Sequence, residues 1–219
     1  MGKIFIIEGP AGAGKTTLIH KILDEYNGAV EITKPSEQLG IPLERPRDYG
    51  KQLNSSGFAL TKDIAHLLSA FHLLEHERLP LVLIDRCLFS AIIYEGIRAQ
   101  RATDHIWPSF LKYSLNFIED MLVQYALYSR FSVSPSMIEI VLVVLLPYEY
   151  VLINRRRDSS RNYPFSLYEE YRRYEELVNN LPLKLDSPRS LIQFRMYRGS
   201  EWVEKGNISS PLSAELMTT

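Results

Sequence analysis

The stretch IIEGPAGAGKTTL, residues 6 to 18, decides the fold of this chain. An apolar run ends in a glycine-rich loop, and Lys15, Thr16 and Thr17 follow directly. Residues 9–16 match G-x-x-x-x-G-K-[ST] at every required position, a pattern typical of a loop that binds nucleotide phosphates. A predicted strand (Lys3–Ile7) precedes the loop and a predicted helix (Thr16–Tyr26) follows it, which is the context that the pattern requires. We therefore predict a nucleotide-binding loop at this position.

The residue types of the loop explain how it would bind phosphate. Glycines allow the backbone to turn successive N–H groups inward, and the start of the helix adds its positive end to the same anion site. Lys15 is placed to reach the outer phosphates, and the Thr16 hydroxyl is placed to ligate Mg²⁺. We expect the loop to bind a nucleotide together with Mg²⁺. The predicted nucleotide-binding residues are Gly9, Ala11, Gly12, Ala13, Gly14, Lys15, Thr16 and Thr17.

Composition places the chain among ordinary globular proteins. It has 219 residues, 46% of them hydrophobic and 23% charged, with a net charge of −1, so bulk charge indicates neither nucleic acid nor membrane as a partner. No apolar run reaches the roughly 18 residues of a membrane span. The single cysteine, Cys87, excludes an internal disulfide and fits a reducing compartment. We expect a cytoplasmic protein with one domain over residues 1–205 and a loosely ordered tail at 206–219.

Apolar runs and helical periodicity alternate along the rest of the chain. This alternation predicts a parallel sheet covered by helices on both faces, with ligands at the carboxyl ends of the strands. Further strands are predicted at Ala29–Thr33, Leu81–Ile84, Met137–Leu146 and Leu191–Tyr197. Further helices are predicted at Phe58–Arg78, Phe89–Arg101, Pro108–Tyr128, Tyr148–Arg157 and Ser166–Asn179, with a loop at Lys34–Gly57.

A second motif, PLVLIDRCLFSAIIYEG, places Asp85 and Arg86 at the carboxyl end of a buried strand. In a parallel sheet this end lies beside the phosphate loop. A carboxylate there can hold Mg²⁺ or accept a proton from the attacking group, and an arginine can bind phosphate oxygens. We predict Asp85 as metal anchor, together with Thr16, or as general base. Glu8, just before the loop, is the alternative candidate for the base.

An arginine-rich segment, LLPYEYVLINRRRDSSRNYPF, follows the strongest predicted strand. Arg157 and Arg161 form R-x-x-x-R, with Arg155 and Arg156 just upstream. Guanidinium groups so close together repel one another unless anions lie nearby, and phosphoryl transfer needs such groups where charge accumulates. Asp158, Glu169 and Glu170 are expected to neutralise part of the cluster. The predicted catalytic residues are Lys15, Asp85, Arg86, Arg157 and Arg161.

These motifs together resemble the thymidylate kinase and deoxynucleoside kinase superfamily of P-loop kinases. The resemblance rests on FIIEGPAGAGKTTL, on DRCLFSAIIYEG and on the arginine-rich segment, and spans about residues 3–175. Asp85, Arg86, Ser90, Tyr94 and Gly96 match the family's second motif, whereas Cys87 and Glu95 depart from it. The resemblance implies an α/β fold with a parallel five-stranded P-loop kinase sheet, helices on both faces and an arginine-rich lid at about residues 155–164. It also implies an ATP-dependent kinase, with ATP and Mg²⁺ as cofactors.

The departures from the thymidylate kinase pattern fall on the acceptor side. Ala11 replaces an aspartate, Thr33-Lys34-Pro35 replaces an Arg-Glu-Pro-like element, and Ala70-Phe71-His72 replaces an A-D-R-like one. The acceptor therefore stays open between a deoxynucleoside, a thymidylate-like deoxynucleoside monophosphate, and 5-hydroxymethyluracil within DNA, the last being a DNA modification of the kind some phages use. A homodimer is also open.

A P-loop switch or motor and a regulator without turnover are the competing functional classes. A switch or motor usually carries Asp-Glu after an apolar strand or an N-K-x-D motif, and the sequence contains neither arrangement. We therefore favour a nucleotide or nucleoside kinase, in which Lys15 and Thr16 hold the donor, Arg86 positions the acceptor, and Arg157 and Arg161 neutralise the transferring group.

Overall fold

The computed structural model describes the phosphate loop, the sheet and the helices that flank them. The residues that the structure describes are 2–32, 63, 65–74, 79–87, 89–90, 93–94, 97, 120, 138–159, 165–180, 184–185 and 193–198. The strands are β1 (Gly2–Glu8), β2 (Ala29–Ile32), β3 (Leu81–Asp85), β4 (Ile138–Val144), β5 (Lys184–Leu185) and β6 (Gln193–Arg198). The helices are α1 (Lys15–Glu25), α2 (Glu149–Arg157) and α3 (Leu167–Asn180), and residues 65–74 are also helical.

One sheet runs through the described part of the chain, in the order β2-β3-β1-β4-β6-β5. The pairings β2–β3, β3–β1, β1–β4 and β4–β6 are parallel, and only the β5–β6 pairing is antiparallel. The predicted α/β class with a parallel sheet is confirmed. Four parallel pairings join five strands, which is the number predicted for the parallel sheet, and the two-residue β5 adds a sixth, antiparallel strand that no sequence periodicity could reveal.

Two apolar layers cover the two faces of the sheet. Successive side chains of a strand point to opposite faces. On β1, Ile4 and Ile6 therefore pack in one cluster, and Phe5 and Ile7 pack in the other. The first cluster includes apolar side chains of the 65–74 helix and of α3, and the second includes those of α1 and α2. The helices thus lie on both faces, as predicted.

The carboxyl ends of the central strands meet at one edge of the sheet. Register places Ile7 beside Asp85 and Glu8 beside Val144. The ladder continues past the strand ends, since the Arg86 N–H donates to the Ile7 carbonyl at 3.1 Å and the Leu145 N–H donates to the Glu8 carbonyl at 2.8 Å. This edge therefore brings the phosphate loop, the Asp85-Arg86 motif and the start of α2 together.

Several predictions from the sequence lie outside the described residues. These are the loop at Lys34–Gly57, nearly all of Pro108–Tyr128, residues 160–164 of the predicted lid and the tail at 206–219. Of the predicted Phe89–Arg101 helix, residues 89–90, 93–94 and 97 are described, and all five are helical. None of the described helices combines the length and the apolar character that a membrane span requires.

Candidate active site

The loop after β1 has the backbone conformation of an anion cradle. Gly9, Gly12 and Gly14 adopt φ values of 145°, 88° and 98°, a region that disfavours side chains. At Gly9 a Cβ atom would also lie 2.3 Å from the Leu145 carbonyl oxygen, so only glycine fits there. The Ala13 N–H closes the loop on the Pro10 carbonyl at 3.1 Å, and α1 begins at Lys15. The N-terminus of α1 therefore opens directly onto the loop, an arrangement that favours bound phosphate.

Lys15 folds its side chain back over this loop. Its Nζ atom donates to the carbonyl oxygens of Gly9 and Pro10, both at 3.0 Å. The pKa of Lys15 is lowered from 10.5 to about 7, chiefly by burial and also by the nearby positive charge of Arg86, whereas the charges of Asp85, Glu8 and Glu170 act in the opposite sense. Two cations thus converge at the loop and their acidic neighbours compensate them only in part. A bound polyanion would relieve this repulsion.

Arg86 lies at the end of β3 in a left-handed backbone conformation. Its φ of 63° is costly for a residue with a side chain, by roughly 1–3 kcal/mol. The guanidinium donates from Nη1 to the Tyr94 hydroxyl and also lies over the Tyr94 ring, with Cζ 5.3 Å from the ring centroid. Tyr94 in turn stacks on Phe165, with centroids 5.2 Å apart and an interplanar angle of 13°. This aromatic support fixes where the Arg86 charge lies.

Glu8 holds that strained turn in place. Its carboxylate is fully buried and accepts hydrogen bonds from the N–H groups of Cys87 at 2.9 Å and Ser90 at 3.1 Å. It also accepts from the Ser90 hydroxyl and from the Tyr174 hydroxyl, the latter at 3.1 Å. Burial raises the pKa of the Glu8 carboxyl, although the hydrogen bonds from Ser90 and Cys87 and the charges of Arg86 and Lys15 oppose the rise.

Four hydrogen-bond donors therefore engage the Glu8 carboxylate, which was the alternative candidate for the general base. Glu8 joins the carboxyl ends of β1 and β3 to α3, and its surroundings fit a structural role better than proton transfer. Tyr174 was not predicted as part of the site, because a tyrosine on an amphipathic helix carries no signal that distinguishes a site residue from one that packs in the core.

In the described part of the arginine-rich segment, Arg155 and Arg156 contact the phosphate loop. Arg155 Nη1 donates to the carbonyl oxygens of Gly12 at 3.1 Å and Ala13 at 3.3 Å. Arg156 Nε donates to the Ala11 carbonyl at 3.2 Å. Arg157, at the end of α2, is exposed to solvent, and Arg161 lies outside the described residues. The catalytic assignment of Arg157 and Arg161 stays a prediction.

Glu170 completes the contact between the helices and the loop. Its Oε2 atom accepts from the Ala11 N–H at 2.9 Å and from Arg156 Nη2 at 2.7 Å, so it neutralises part of the arginine cluster as expected. Glu169 instead accepts from the Ser166 hydroxyl at 2.9 Å at the start of α3. Both polar backbone groups of Ala11, a predicted nucleotide-binding residue, are thus engaged by α2 and α3.

Thr16 and Asp85, the predicted Mg²⁺ ligands, both lie at the loop edge of the sheet. Thr16 is exposed in the first turn of α1, and Asp85 ends β3, near enough for its charge to act on Lys15. No group of three or more His, Cys, Asp or Glu side chains within the described ranges is arranged to hold a metal ion. Mg²⁺ at nucleotide sites is usually held by one or two protein oxygens together with substrate phosphates, so this donor set fits it.

Comparison with solved structures identifies the fold. The chain is similar to deoxyadenosine kinase from M. mycoides with bound dATP, with a TM-score of 0.51 and 19% sequence identity over 99% of this chain and 100% of that chain. Deoxyadenosine kinase from M. mycoides with bound dCTP aligns with a TM-score of 0.45 and 17% identity, over 98% of this chain and 96% of that chain. The same enzyme with the products dCMP and a flexible dCDP aligns with a TM-score of 0.45 and 16% identity, over 98% of this chain and 95% of that chain.

At 19% identity the likeness to the dATP-bound structure shows the fold and does not extend to the substrate. No protein-family model matches the sequence, and no curated protein matches it either. The chain therefore has the overall fold of a deoxyadenosine kinase.

Proposed function

We propose that this protein is an ATP-dependent kinase that transfers the γ-phosphoryl group to a deoxynucleotide-type acceptor. The acceptor is either the hydroxyl of a deoxynucleoside or the phosphate of a thymidylate-like deoxynucleoside monophosphate. The observation that carries the proposal is the convergence of Lys15 and Arg86 on a glycine-rich loop, where burial and mutual repulsion lower the Lys15 pKa to about 7. Such a site stores electrostatic repulsion that a triphosphate relieves.

The fold supports a transferase over a nucleotide switch. The chain shares its overall fold, over nearly its full length, with a protein described as deoxyadenosine kinase. The carboxyl end of β3 carries Asp85 and Arg86, an acid and a cation beside the phosphate loop. A switch would not need an arginine held there by an aromatic stack and by a strained backbone.

Each residue then has a defined task. Backbone N–H groups of the loop and the N-terminus of α1 bind the donor phosphates, and Lys15 moves from the Gly9 and Pro10 carbonyls to the outer phosphates. Arg86 orients the acceptor, and Asp85 accepts the proton from an acceptor hydroxyl. Arg157 and Arg161 neutralise the charge that develops on the transferred group.

Thr16 and Asp85 are the residues that would hold Mg²⁺ at this site. The ion would supply charge neutralisation on the phosphate oxygens. If Asp85 holds the ion directly, it does not also serve as the general base. Activity measured over a range of Mg²⁺ concentrations in Asp85→Asn and Thr16→Ala separates the two roles, because loss of a ligand raises the Mg²⁺ requirement whereas loss of a base lowers the rate at every concentration.

Transfer of label from γ-³²P-ATP tests the proposal. Deoxynucleosides, deoxynucleoside monophosphates and DNA with and without 5-hydroxymethyluracil are offered separately with Mg²⁺, and products are resolved by chromatography. We expect label on a deoxynucleoside or a deoxynucleoside monophosphate, and loss of transfer in Lys15→Ala. Lys21→Ala, which removes a lysine further along the same helix, is the matched control and should retain activity.

Other outcomes would revise the assignment. Label only in free phosphate would contradict the kinase proposal and favour a switch. Label only on DNA that contains 5-hydroxymethyluracil would replace the free acceptor by a base within DNA. Transfer at full rate by Lys15→Ala would contradict the site assignment.

A further inference from the structure

Two charged side chains hold Ala11 of the phosphate loop from both sides. The Ala11 N–H donates to Glu170 Oε2 at 2.9 Å, and Arg156 Nε donates to the Ala11 carbonyl at 3.2 Å. Arg156 Nη2 lies 2.7 Å from the same Glu170 oxygen, so the two side chains also bind each other. We call Arg156 and Glu170 the Ala11 clamp. Its members come from α2 and α3, far from the loop in sequence.

The clamp is buried, which makes its charge balance important. The Glu170 side chain is 1% exposed and that of Arg156 is 9% exposed. A buried carboxylate beside a loop that binds a polyanion repels that polyanion, and water screens the repulsion poorly. The charge of Glu170 does reach the loop, because it acts on Lys15. Arg156 is placed to cancel it.

The same arginine also ties the beginning of α3 to the loop. Arg156 Nη1 donates to the Phe165 carbonyl at 3.3 Å, and Phe165 stacks on Tyr94, which contacts Arg86. Ala11 itself offers only a methyl group, so its side chain makes no hydrogen bond that could fix the loop. The orientation of this part of the loop therefore depends on the two helices.

We propose that Arg156 and Glu170 are positioning residues for the donor triphosphate, and that they act through Ala11. Glu170 orients the loop through the Ala11 N–H. Arg156 holds the Ala11 carbonyl and neutralises Glu170, so that the polyphosphate meets no uncompensated negative charge. This inference rests on the proposed function, because the orientation matters only if the loop binds a triphosphate.

A double-mutant cycle that removes the charges of Arg156 and Glu170, singly and together, tests the proposal. Dissociation constants of ATP, ADP and inorganic tripolyphosphate are measured by calorimetry for Arg156→Gln, Glu170→Gln and the double variant. Arg156→Gln should weaken all three probes on the order of tenfold or more, because it leaves the Glu170 charge uncompensated. The double variant should bind more tightly than Arg156→Gln, because the remaining carboxylate is gone. Glu170→Gln should also bind more tightly than Arg156→Gln, since its amide oxygen still accepts from Ala11.

A merely structural role predicts a different order. If the clamp only stabilises the fold, the losses should accumulate and the double variant should bind most weakly, which would overturn the proposal. The KM of ATP should rise in Arg156→Gln while the KM of the acceptor stays within about threefold, and an equal rise in both would also overturn it. Arg172→Gln and Glu169→Gln remove matched groups from exposed positions of α3 and serve as controls.

The test survives a variant that fails to fold. Should Arg156→Gln be unfolded by circular dichroism, Glu170→Ala is compared with Glu170→Gln, because only the glutamine retains an acceptor for the Ala11 N–H. Tripolyphosphate should bind at least several-fold more weakly to Glu170→Ala, and equal affinities would overturn the proposal. A wild-type protein that binds none of the three probes contradicts the proposed function itself. Wild-type binding that no clamp variant alters contradicts only the present inference.

Discussion

Replacing Lys15 with methionine should make the nucleotide-free protein more stable relative to wild type at low pH, and this advantage should shrink as the pH rises. Methionine has a similar length and carries no charge, so it removes the buried ammonium without opening a cavity. The pKa of Lys15 falls from 10.5 to about 7 in the folded protein. Each pKa unit corresponds to about 1.36 kcal/mol, so the folded state disfavours the ammonium by about 5 kcal/mol.

The sign of the pH dependence follows from proton binding. Between pH 7 and pH 10.5 the unfolded chain keeps the Lys15 proton and the folded protein has lost it. Stability rises with pH wherever the unfolded state binds more protons, so wild-type stability gains from Lys15 across this window. Below pH 7 the full cost is present. Lys15→Met lacks the gain, and its free energy of unfolding relative to wild type should fall by about 1.4 kcal/mol per pH unit between pH 7.5 and 9.5.

Urea unfolding of both proteins at several pH values, without nucleotide, provides the measurement. Groups that do not interact with Lys15 titrate alike in the two proteins, so they cancel in the difference. Lys21→Met is the control, because Lys21 forms an exposed ion pair with Glu25 and the corresponding difference should stay flat. A difference between wild type and Lys15→Met that does not change with pH would refute the reasoning, since it would mean that the ammonium is not destabilised by its surroundings.

Three further predictions follow from the same site. Binding of ATP at pH 8 should take up about 0.9 proton, because the phosphates restore the proton of Lys15, whose pKa is about 7 in the free protein. Calorimetry in two buffers of different ionisation enthalpy measures this uptake, and a value near zero would contradict the Lys15 assignment. Glu8→Ala should lower the free energy of unfolding by about 4 kcal/mol and Glu8→Gln by about 1–2 kcal/mol, measured by urea unfolding, because the alanine removes the buried acceptor that Cys87, Ser90 and Tyr174 share. A loss under 1 kcal/mol for the alanine would show that water replaces the carboxylate. Arg157→Ala should lower kcat roughly 100-fold or more in a steady-state assay, because it removes a charge that stabilises the transferred group. It should change the free energy of unfolding by less than about 0.5 kcal/mol, because Arg157 is exposed, and an unchanged kcat would contradict its catalytic role.

Local patterns in the sequence predicted most of the described fold. The apolar runs of β1, β3 and β4 predicted strands, because a strand that is buried on both faces consists almost entirely of apolar residues. Together with the glycine loop, these runs predicted the alternation of strands and helices. The predicted bounds of these strands and helices differ from the described ones by no more than two residues. The short antiparallel β5 was missed, because two residues contain no period and their pairing with β6 depends on contacts between distant segments.

The candidate site was predictable where its residues form one continuous sequence motif. Lys15 and the loop glycines belong to a continuous motif, so their positions followed directly. The network around Glu8 and the clamp on Ala11 join residues more than 70 positions apart, and no spacing rule reveals such pairs. The sequence alone does not distinguish the positions of the Arg155, Arg156 and Arg157 side chains relative to the loop. The turn of α2 decides that the first two contact the loop and the third faces solvent.

The partition of γ-³²P-ATP label between acceptor and free phosphate tests the central claim most directly. With wild-type protein, Mg²⁺ and a deoxynucleoside or deoxynucleoside monophosphate, we predict that most of the released label appears on the acceptor and that omission of the acceptor nearly stops ATP consumption. Release of label only as inorganic phosphate, at a rate that no acceptor changes, would contradict it.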